Sequence, residues 1–419
     1  FDQPVVYETI EKSMADEGGR GIGLPEDDMY AFGVTLAFMV QKQLPVLGYS
    51  KEKLILAKIE TASYRTLVGK NLITATMLEP MRGLLNDNPT ERWGMEQLEN
   101  WKSGLPNLPN PAVPPERAHR PMPLGGYDHL YPRGLAYSMA HRPEVAIELI
   151  KDGTIERWIK KDLMDEELSV RFDESAEITK FQSGKVKGGD ALLLAHVLIL
   201  LDPKAPVRYK GVSYMPDAFG TALVTEQIRG GDPKILAESI VYKIPDFWVA
   251  ANEEDSISTR IEQMNYARIR THLQMAGPGY GVERCMYELN HDFPCQSPLF
   301  EKDYILFVED ILPSLDEAEK RVDPKTNPVD RHIAAFVAVK VKQSIDKFLH
   351  DIADPDDALK ILGSLKLLAF LQNLYGPETL LGLSKWIGGQ MGPVIKLYQS
   401  RSTRKILETE EPRIIPRKG

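Results

Sequence analysis

The chain has 419 residues, of which 43% are hydrophobic and 26% are charged, and its formal net charge is −9. These values are ordinary for a soluble globular protein of two or three domains and argue against a disordered chain. The acidic balance excludes a global field that would attract nucleic acid or an anionic membrane surface. We therefore predict no nucleic-acid partner.

Two further features of the composition indicate the compartment. Cys285 and Cys295 are the two cysteines of the chain, which argues against a disulfide-stapled secreted protein and favours the cytoplasm. No apolar run reaches the roughly eighteen residues that a membrane-spanning helix needs. We therefore predict a cytoplasmic protein without membrane insertion. Because residue 1 is Phe rather than Met, we expect the chain to be a piece of a longer protein.

The most informative segment runs from Asp28 to Val40 and has no charge after its aspartate. It is apolar on every face rather than along one stripe, which predicts a helix that is buried all round. Asp28 stands where its carboxylate can cap the free amides of the first helical turn.

Two shorter motifs flank this helix. The first, Tyr7-Glu-Thr-Ile-Glu11, precedes it, and the second, Asp87-Asn-Pro-Thr-Glu-Arg92-Trp93, follows it. An arginine held in the turn after Asn86 can donate two parallel hydrogen bonds to a carboxylate such as Glu11. We therefore predict a buried ion pair between Arg92 and Glu11, which would fix geometry more than it adds stability.

In this order, the three motifs resemble the lower half of the C-terminal lobe of a eukaryotic-type serine/threonine protein kinase or pseudokinase of the bacterial kind. Tyr7 to Glu11 stands where that family has Tyr-x-Ala-Pro-Glu, Asp28 to Gly33 matches its Asp-x-x-x-x-Gly helix, and Asp87 to Arg92 matches its late Asp-Pro-x-x-Arg element. The resemblance covers residues 1–104. It implies structural roles for Glu11, Asp28, Gly33, Arg92 and Trp93, and it implies that the carboxylate at Asp28 supports the catalytic loop.

The motifs that carry catalysis in that family are not found in this sequence. There is no His-Arg-Asp catalytic loop, Asp-Phe-Gly metal aspartate, glycine-rich loop or lysine strand before these residues. Phosphoryl transfer depends on those groups, so we predict no catalytic residue and no cofactor in this chain. ATP and magnesium are expected only where a part upstream completes an active kinase. Whether the whole protein is an enzyme, as a kinase, or a pseudokinase stays open.

The segment 105–125 contains seven prolines. Proline removes amide donors and fixes φ, so no helix can run through such a segment. We predict a proline-rich linker here, joining residues 1–104 to an extension over 126–419, which is either one domain or two subdomains with a break near 276–300. We also expect a mainly apolar interface between these two parts.

Helical periodicity dominates the extension. Helices are predicted at 134–140, 143–151, 154–163, 191–201, 216–228, 233–241, 257–275, 304–321, 329–352, 358–374 and 378–398. Only Val207 to Tyr214 alternates as a strand does, which predicts at most a small hairpin. The predicted fold class is therefore mainly α, with kinase-lobe helices followed by a bundle-like or solenoid-like extension.

One metal-ligand spacing occurs in the extension, at Cys285, His291 and Cys295. Three such residues can hold zinc, but no fourth ligand is evident, and a buried thiol acting as a small hydrophobe is the favoured interpretation. No metal is therefore predicted.

The sequence favours a non-catalytic C-terminal fragment of a kinase-like protein, acting as a regulatory or protein-interaction module. Its partner would be its own N-terminal part or another protein. The alternative is a free-standing all-α scaffold.

Overall fold

Helices make up most of the computed structural model, which describes residues 4–69, 73–107, 117–183, 188–252 and 257–397. Two small antiparallel hairpins accompany them in the described residues. The predicted mainly α fold class is therefore confirmed. The structure divides the chain into two units, 1–266 and 267–419, whereas the sequence suggests boundaries at 104 and 125.

The first unit begins with six short to medium helices. They are α1 (Ile10–Met14), α2 (Pro25–Gln41), α3 (Lys51–Thr61), α4 (Ser63–Val68), α5 (Ala75–Leu84) and α6 (Met95–Lys102). One hydrophobic cluster joins α2 to α3, α4 and α5, with Tyr30, Val34 and Leu67 fully buried in it. This cluster is the core of residues 1–104.

Helix α2 is not buried on every face, so that prediction is wrong. Its inner side carries the buried residues Tyr30, Gly33, Val34 and Ala37. On the other side, Phe32 is 47% and Met39 is 70% exposed. An apolar pattern on all sides predicts that other elements pack against every face of α2. In the described structure they pack against only one side of it.

At Gly33, helix α2 packs tightly against α5. A Cβ at this position would lie 2.8 Å from the Cβ of Leu84. We expect Gly33→Ala to lower the free energy of unfolding by about 1 to 2 kcal/mol, because one extra methyl group must push two packed helices apart.

Urea unfolding would measure this loss, and Gly23→Ala is the matched control because nothing lies within 4 Å of a Cβ there. Equal effects of the two substitutions would show that helix contact at Gly33 is not the cause.

Helix α5 contains Pro80 in its interior. Proline has no amide to donate to the carbonyl four residues earlier, which here belongs to Thr76. The indole Nε1 of Trp101 donates to that carbonyl at 3.2 Å. The C-terminal end of α6 thus supplies the donor that Pro80 lacks. The sequence predicts a helix that begins at Pro80, and this bond helps to explain why the helix instead begins at Ala75.

The predicted linker is folded where the structure describes it beyond residue 116. Met122–Leu124 (β1) pairs with Tyr127–His129 (β2) across a turn at Gly125 and Gly126. Both glycines have positive φ, as a two-residue hairpin turn requires. Pro123 points to solvent between two buried neighbours, so it occupies an edge without disrupting it. Residues 108–116 of the predicted linker lie outside the described residues.

The rest of the first unit is a helical assembly around one central helix. Its elements are α7 (Pro132–Ala140), α8 (Pro143–Lys151), α9 (Thr154–Trp158), a π-turn (Ile159–Leu163), α10 (Glu166–Ser183), α11 (Gly189–Leu201), α12 (Phe219–Arg229), α13 (Pro233–Val241) and α14 (Ile244–Ala251). Almost every residue of α11 is buried, and it contacts α7, α8, α10 and α14. The helix that is buried all round is therefore α11.

The predicted hairpin at 207–214 is confirmed. Val207–Tyr209 (β3) pairs with Val212–Tyr214 (β4), and the turn between them holds Lys210 and Gly211 with positive φ. Helix α11 packs against β3. The hairpin thus lies beside the central helix of the unit.

An apolar interface joins residues 1–104 to the part of the extension that lies in the first unit. Ile10, Met14 and Ile55 from the first part share one hydrophobic cluster with Tyr137 and Ala205. The amide of Met215 also donates to the carbonyl of Gly19 at 2.7 Å. Within the first unit, therefore, the expected interface is present.

The second unit consists mainly of helices that pack in neighbouring pairs. Its elements are α16 (Val282–Leu289), α17 (Ile311–Ala318), α18 (Arg331–Lys340), α19 (Asp346–Ile352), α20 (Asp357–Tyr375) and α21 (Leu381–Leu397); the division from the first unit falls within α15 (Ile257–Gln274). Helix α16 packs on α18, and α20 packs on both α19 and α21. The helix predicted over 329–352 is broken, because Val341 is extended.

In the described part of the chain, no helix combines the length and the hydrophobicity that a bilayer span requires.

Candidate functional site

The helix start at α2 is capped differently from the prediction. Asp27, rather than Asp28, accepts the amide of Leu24 through Oδ2 at 2.9 Å. Asp27 also forms an ion pair with Lys12 at 2.6 Å. Asp28 lies in the first helical turn with its side chain exposed. The Asp28 carboxylate is therefore accessible to another molecule, while Asp27 caps the helix start.

Arg92 does not pair with Glu11, so that prediction is wrong. The guanidinium Nε donates to the carbonyl of Asn86 and Nη1 donates to the carbonyl of Glu26, both at 2.9 Å. The same group lies 5.2 Å from the ring centre of Tyr30. Arg92 thus links the loop after α5 to the start of α2 through backbone carbonyls. Because every residue has a carbonyl, the sequence does not indicate such acceptors.

Trp93 packs against a glycine of α5. A Cβ at Gly83 would lie 2.3 Å from the indole of Trp93, and the amide of Trp93 donates to the carbonyl of Gly83 at 3.0 Å. Arg92 and Trp93 therefore anchor the same turn by two different contacts. Both act on structure rather than on a ligand.

The partner of Glu11 is Arg133, at the start of α7. Arg133 Nη2 donates to Glu11 Oε1 at 2.6 Å, and Arg133 Nε lies 3.3 Å from Asp202 Oδ2. Burial alone would raise the pKa of Glu11, but the charge and hydrogen bond of Arg133 outweigh it and hold that pKa below its ordinary value. Burial raises the pKa of Asp202, against the opposing charges of Arg133 and Arg208.

A buried lysine lies beside this ion-paired group. Lys58 of α3 has no exposed surface, and its Nζ donates to the carbonyls of Glu8 at 2.8 Å and Val6 at 3.2 Å. Burial lowers the pKa of Lys58 to about 8. A depressed lysine pKa is a frequent mark of functional sites. Here, however, both carbonyls engage the amine, which indicates a structural role.

A cavity of about 840 Å³ opens next to these groups in the first unit. Its lining mixes both signs of charge, with Arg65 and Arg82 on one hand and Asp87 and Glu91 on the other. Asp87 Oδ2 accepts the amide of Ser63 at 2.9 Å, and burial raises the pKa of Asp87. These groups suit a polar ligand or ordered water.

The cysteines of the second unit do not form a metal centre. Both are buried free thiols, and burial raises the pKa of each to about 12. The Cys285 thiol lies 3.9 Å from the carbonyl of Ile269. Across the described part of the chain, no three His, Cys, Asp or Glu residues are placed to hold a metal ion.

Comparisons of this chain with protein-family models, with curated proteins and with solved structures find no match.

Proposed function

We propose that this chain is a cytoplasmic, non-catalytic module of a kinase-like protein, and that the exposed face of α2 binds a protein partner. The observation that carries the proposal is the apolar stripe along this helix. Phe32, Leu36 and Met39 lie at i, i+4 and i+7; Phe32 and Met39 are 47% and 70% exposed, and Leu36 between them is partly buried against the core. Contiguous apolar surface of this kind marks interaction sites on soluble proteins. The two free thiols, Cys285 and Cys295, are in keeping with a reducing compartment.

The charge around the stripe indicates the chemistry of the partner. The first turn of α2 carries the exposed carboxylates of Glu26 and Asp28, and neither has an ion pair among the described residues. The last turn carries no basic residue. A partner helix with an apolar stripe and a basic end would match both features, because the acidic end attracts cations and the stripe buries apolar side chains.

The stripe also has the length of a single helix contact. From Phe32 to Met39 it spans roughly 10 Å at about 1.5 Å per residue, or about two helical turns. The charge and the length of the α2 face together favour a protein helix with a basic end as its occupant.

Binding of a fluorescent helical peptide tests this proposal. The peptide carries leucines along one face and arginines at one end, and its twin carries glutamates instead of the arginines. We expect the full chain to bind the arginine peptide more tightly than the twin. The variant Phe32→Glu/Met39→Glu should bind about tenfold more weakly or worse, because it places charges in the apolar contact. Ile228→Glu, at an equally exposed position elsewhere in the first unit, should bind as the wild type does.

A charge exchange separates specific docking from general adhesion. Glu26→Lys/Asp28→Lys should reverse the preference between the two peptides. Unchanged affinity of the Phe32→Glu/Met39→Glu variant would reject the α2 face as the site. Sedimentation equilibrium would reveal the other occupant: a dimer that this variant dissociates would mean that a second copy of the chain covers the face, contrary to the proposal.

A further inference from the structure

A second cavity of the first unit, of about 550 Å³, lies between the β3–β4 hairpin and helices α7, α8 and α11. This volume is within the usual range for small-molecule sites. Apolar side chains form one side of it, among them Ile147, Leu194 and Leu198. Its polar side chains come from the hairpin, from α7 and the residue after it, and from Asp16 and Lys51. The cavity is separate from the exposed face of α2.

Arg208, on β3, is the buried charge of this cavity. It is only 7% exposed, and its Nη2 makes a long bond of 3.4 Å to the carbonyl of Leu198. Its Nε and Nη1 are buried without a hydrogen-bond partner in the described structure. Asp202 exerts the largest opposing charge on Arg208, but its ion pair is formed with Arg133. A buried guanidinium with two unused donors carries a large energetic cost unless a ligand or water satisfies them.

A second buried polar group lines the same cavity. Tyr137 of α7 is almost fully buried, and its hydroxyl has no hydrogen bond to any described residue. Buried tyrosine hydroxyls nearly always have a partner. Burial raises the pKa of Tyr137, and the positive charge of Arg208 opposes that rise. Arg208 and Tyr137 therefore offer donors of the type that an oxyanion accepts.

The other charged groups of the lining already have hydrogen-bond or ion-pair partners. Lys210 forms an ion pair with Glu238, Asp16 accepts the amide of Ser213 at 2.7 Å, and Lys51 has an interaction of its own. His141 donates from Nδ1 to the carbonyl of Tyr137 at 2.8 Å. The donors without partners thus belong to Arg208 and Tyr137, which supply one cation and one hydroxyl.

We propose that this cavity binds a small monocarboxylic acid with an aliphatic body. The carboxylate would accept two parallel bonds from one edge of the Arg208 guanidinium, formed by Nη2 together with either Nε or Nη1, and a third from the Tyr137 hydroxyl. The aliphatic body would lie against Ile147, Leu194 and Leu198. A phosphate dianion fits less well, because the one unused cation would leave half of its charge without a partner in an apolar enclosure.

Thermal shift and calorimetric titration of the full chain with octanoate test this proposal. Octanol has the same body without the carboxylate, and acetate has the carboxylate without the body. We expect octanoate to raise the unfolding temperature and to bind at least about tenfold more tightly than either control, since each control lacks one half of the contact. Equal binding of octanol and octanoate would overturn the role of Arg208, and the absence of octanoate binding would overturn the site.

Three variants locate the ligand. Arg208→Met should bind octanoate at least about tenfold more weakly. Tyr137→Phe removes one hydroxyl and should weaken binding about three- to tenfold. Leu194→Phe fills the apolar side and should weaken octanoate binding without touching the polar groups.

Circular dichroism checks that each variant folds. If Arg208→Met fails to fold, the other two decide the matter: wild-type affinity of both Tyr137→Phe and Leu194→Phe would place octanoate elsewhere and reject the proposal.

Discussion

Replacing Arg133 with alanine should lower the free energy of unfolding by about 2 to 4 kcal/mol. Arg133 pairs with both Glu11 and Asp202, so its loss removes the ion-pair partner of Glu11 and leaves Asp202 with the opposing charge of Arg208 alone. Breaking a fully buried pair typically costs about 3 to 5 kcal/mol. The Glu11 and Arg133 side chains keep 19% and 23% exposure, so water relieves part of that cost. Urea unfolding at neutral pH measures the change.

Arg92→Ala is the matched control for this prediction. Its guanidinium bonds two backbone carbonyls, those of Asn86 and Glu26, and no carboxylate loses a partner. We expect a loss of about 1 to 2 kcal/mol, the usual range for neutral acceptors left unsatisfied. Adding Glu11→Gln and Asp202→Asn to Arg133→Ala should recover part of the stability, because both carboxylate charges disappear. Equal losses for Arg92→Ala and Arg133→Ala would contradict the assigned pairing.

The pairing of Glu11 shows what a single sequence cannot provide. Arg133 lies 122 residues beyond Glu11, and no local periodicity connects them. Arg92 was a reasonable partner because it stands in a turn of the same segment, but the backbone carbonyls around it satisfy its donors first. Long-range ion pairs depend on how helices dock, whereas local patterns report only which face of each helix is apolar.

Local patterns succeeded where the local chemistry decides the structure. The β3–β4 hairpin follows from alternation in Val207 to Tyr214 together with a glycine in the turn, and helix α13 begins and ends as its periodicity predicts, at Pro233 and Val241. The sequence does not predict the β1–β2 hairpin, because Pro121 and Pro123 favour a linker. The adjacent Gly125-Gly126 pair was the available signal, since two-residue hairpin turns favour it.

Helices α2 and α11 illustrate the limit of composition. Both are apolar on all sides in sequence, yet only α11 is covered all round by its neighbours in the described structure. Hydrophobicity predicts that a face is unfavourable in water, but it does not say which molecule covers it. That difference is why the α2 face supports a binding proposal and the α11 face does not.

Raising the pH should stabilise the wild type relative to Lys58→Met. Burial lowers the pKa of Lys58 to about 8 in the folded chain, against the opposing charges of Asp87, Glu8 and Glu11, while the ordinary value is 10.5. Between these two values the unfolded chain binds more protons than the folded chain, so the free energy of unfolding rises with pH. From about pH 7 to about pH 9.5 the gain should be about 2 kcal/mol, at about 1.4 kcal/mol per pKa unit.

The comparison with Lys58→Met isolates this contribution. The variant leaves the carbonyls of Val6 and Glu8 without a donor, but that loss does not depend on pH, and titration of all other groups is common to both proteins. Urea unfolding at several pH values gives the difference curve. Lys102→Met, at an exposed position on α6, corrects for the removal of any one lysine charge. A difference curve for Lys58 that stays flat across this range, or that falls as pH rises, would show that the amine is not held in a site that disfavours its charge.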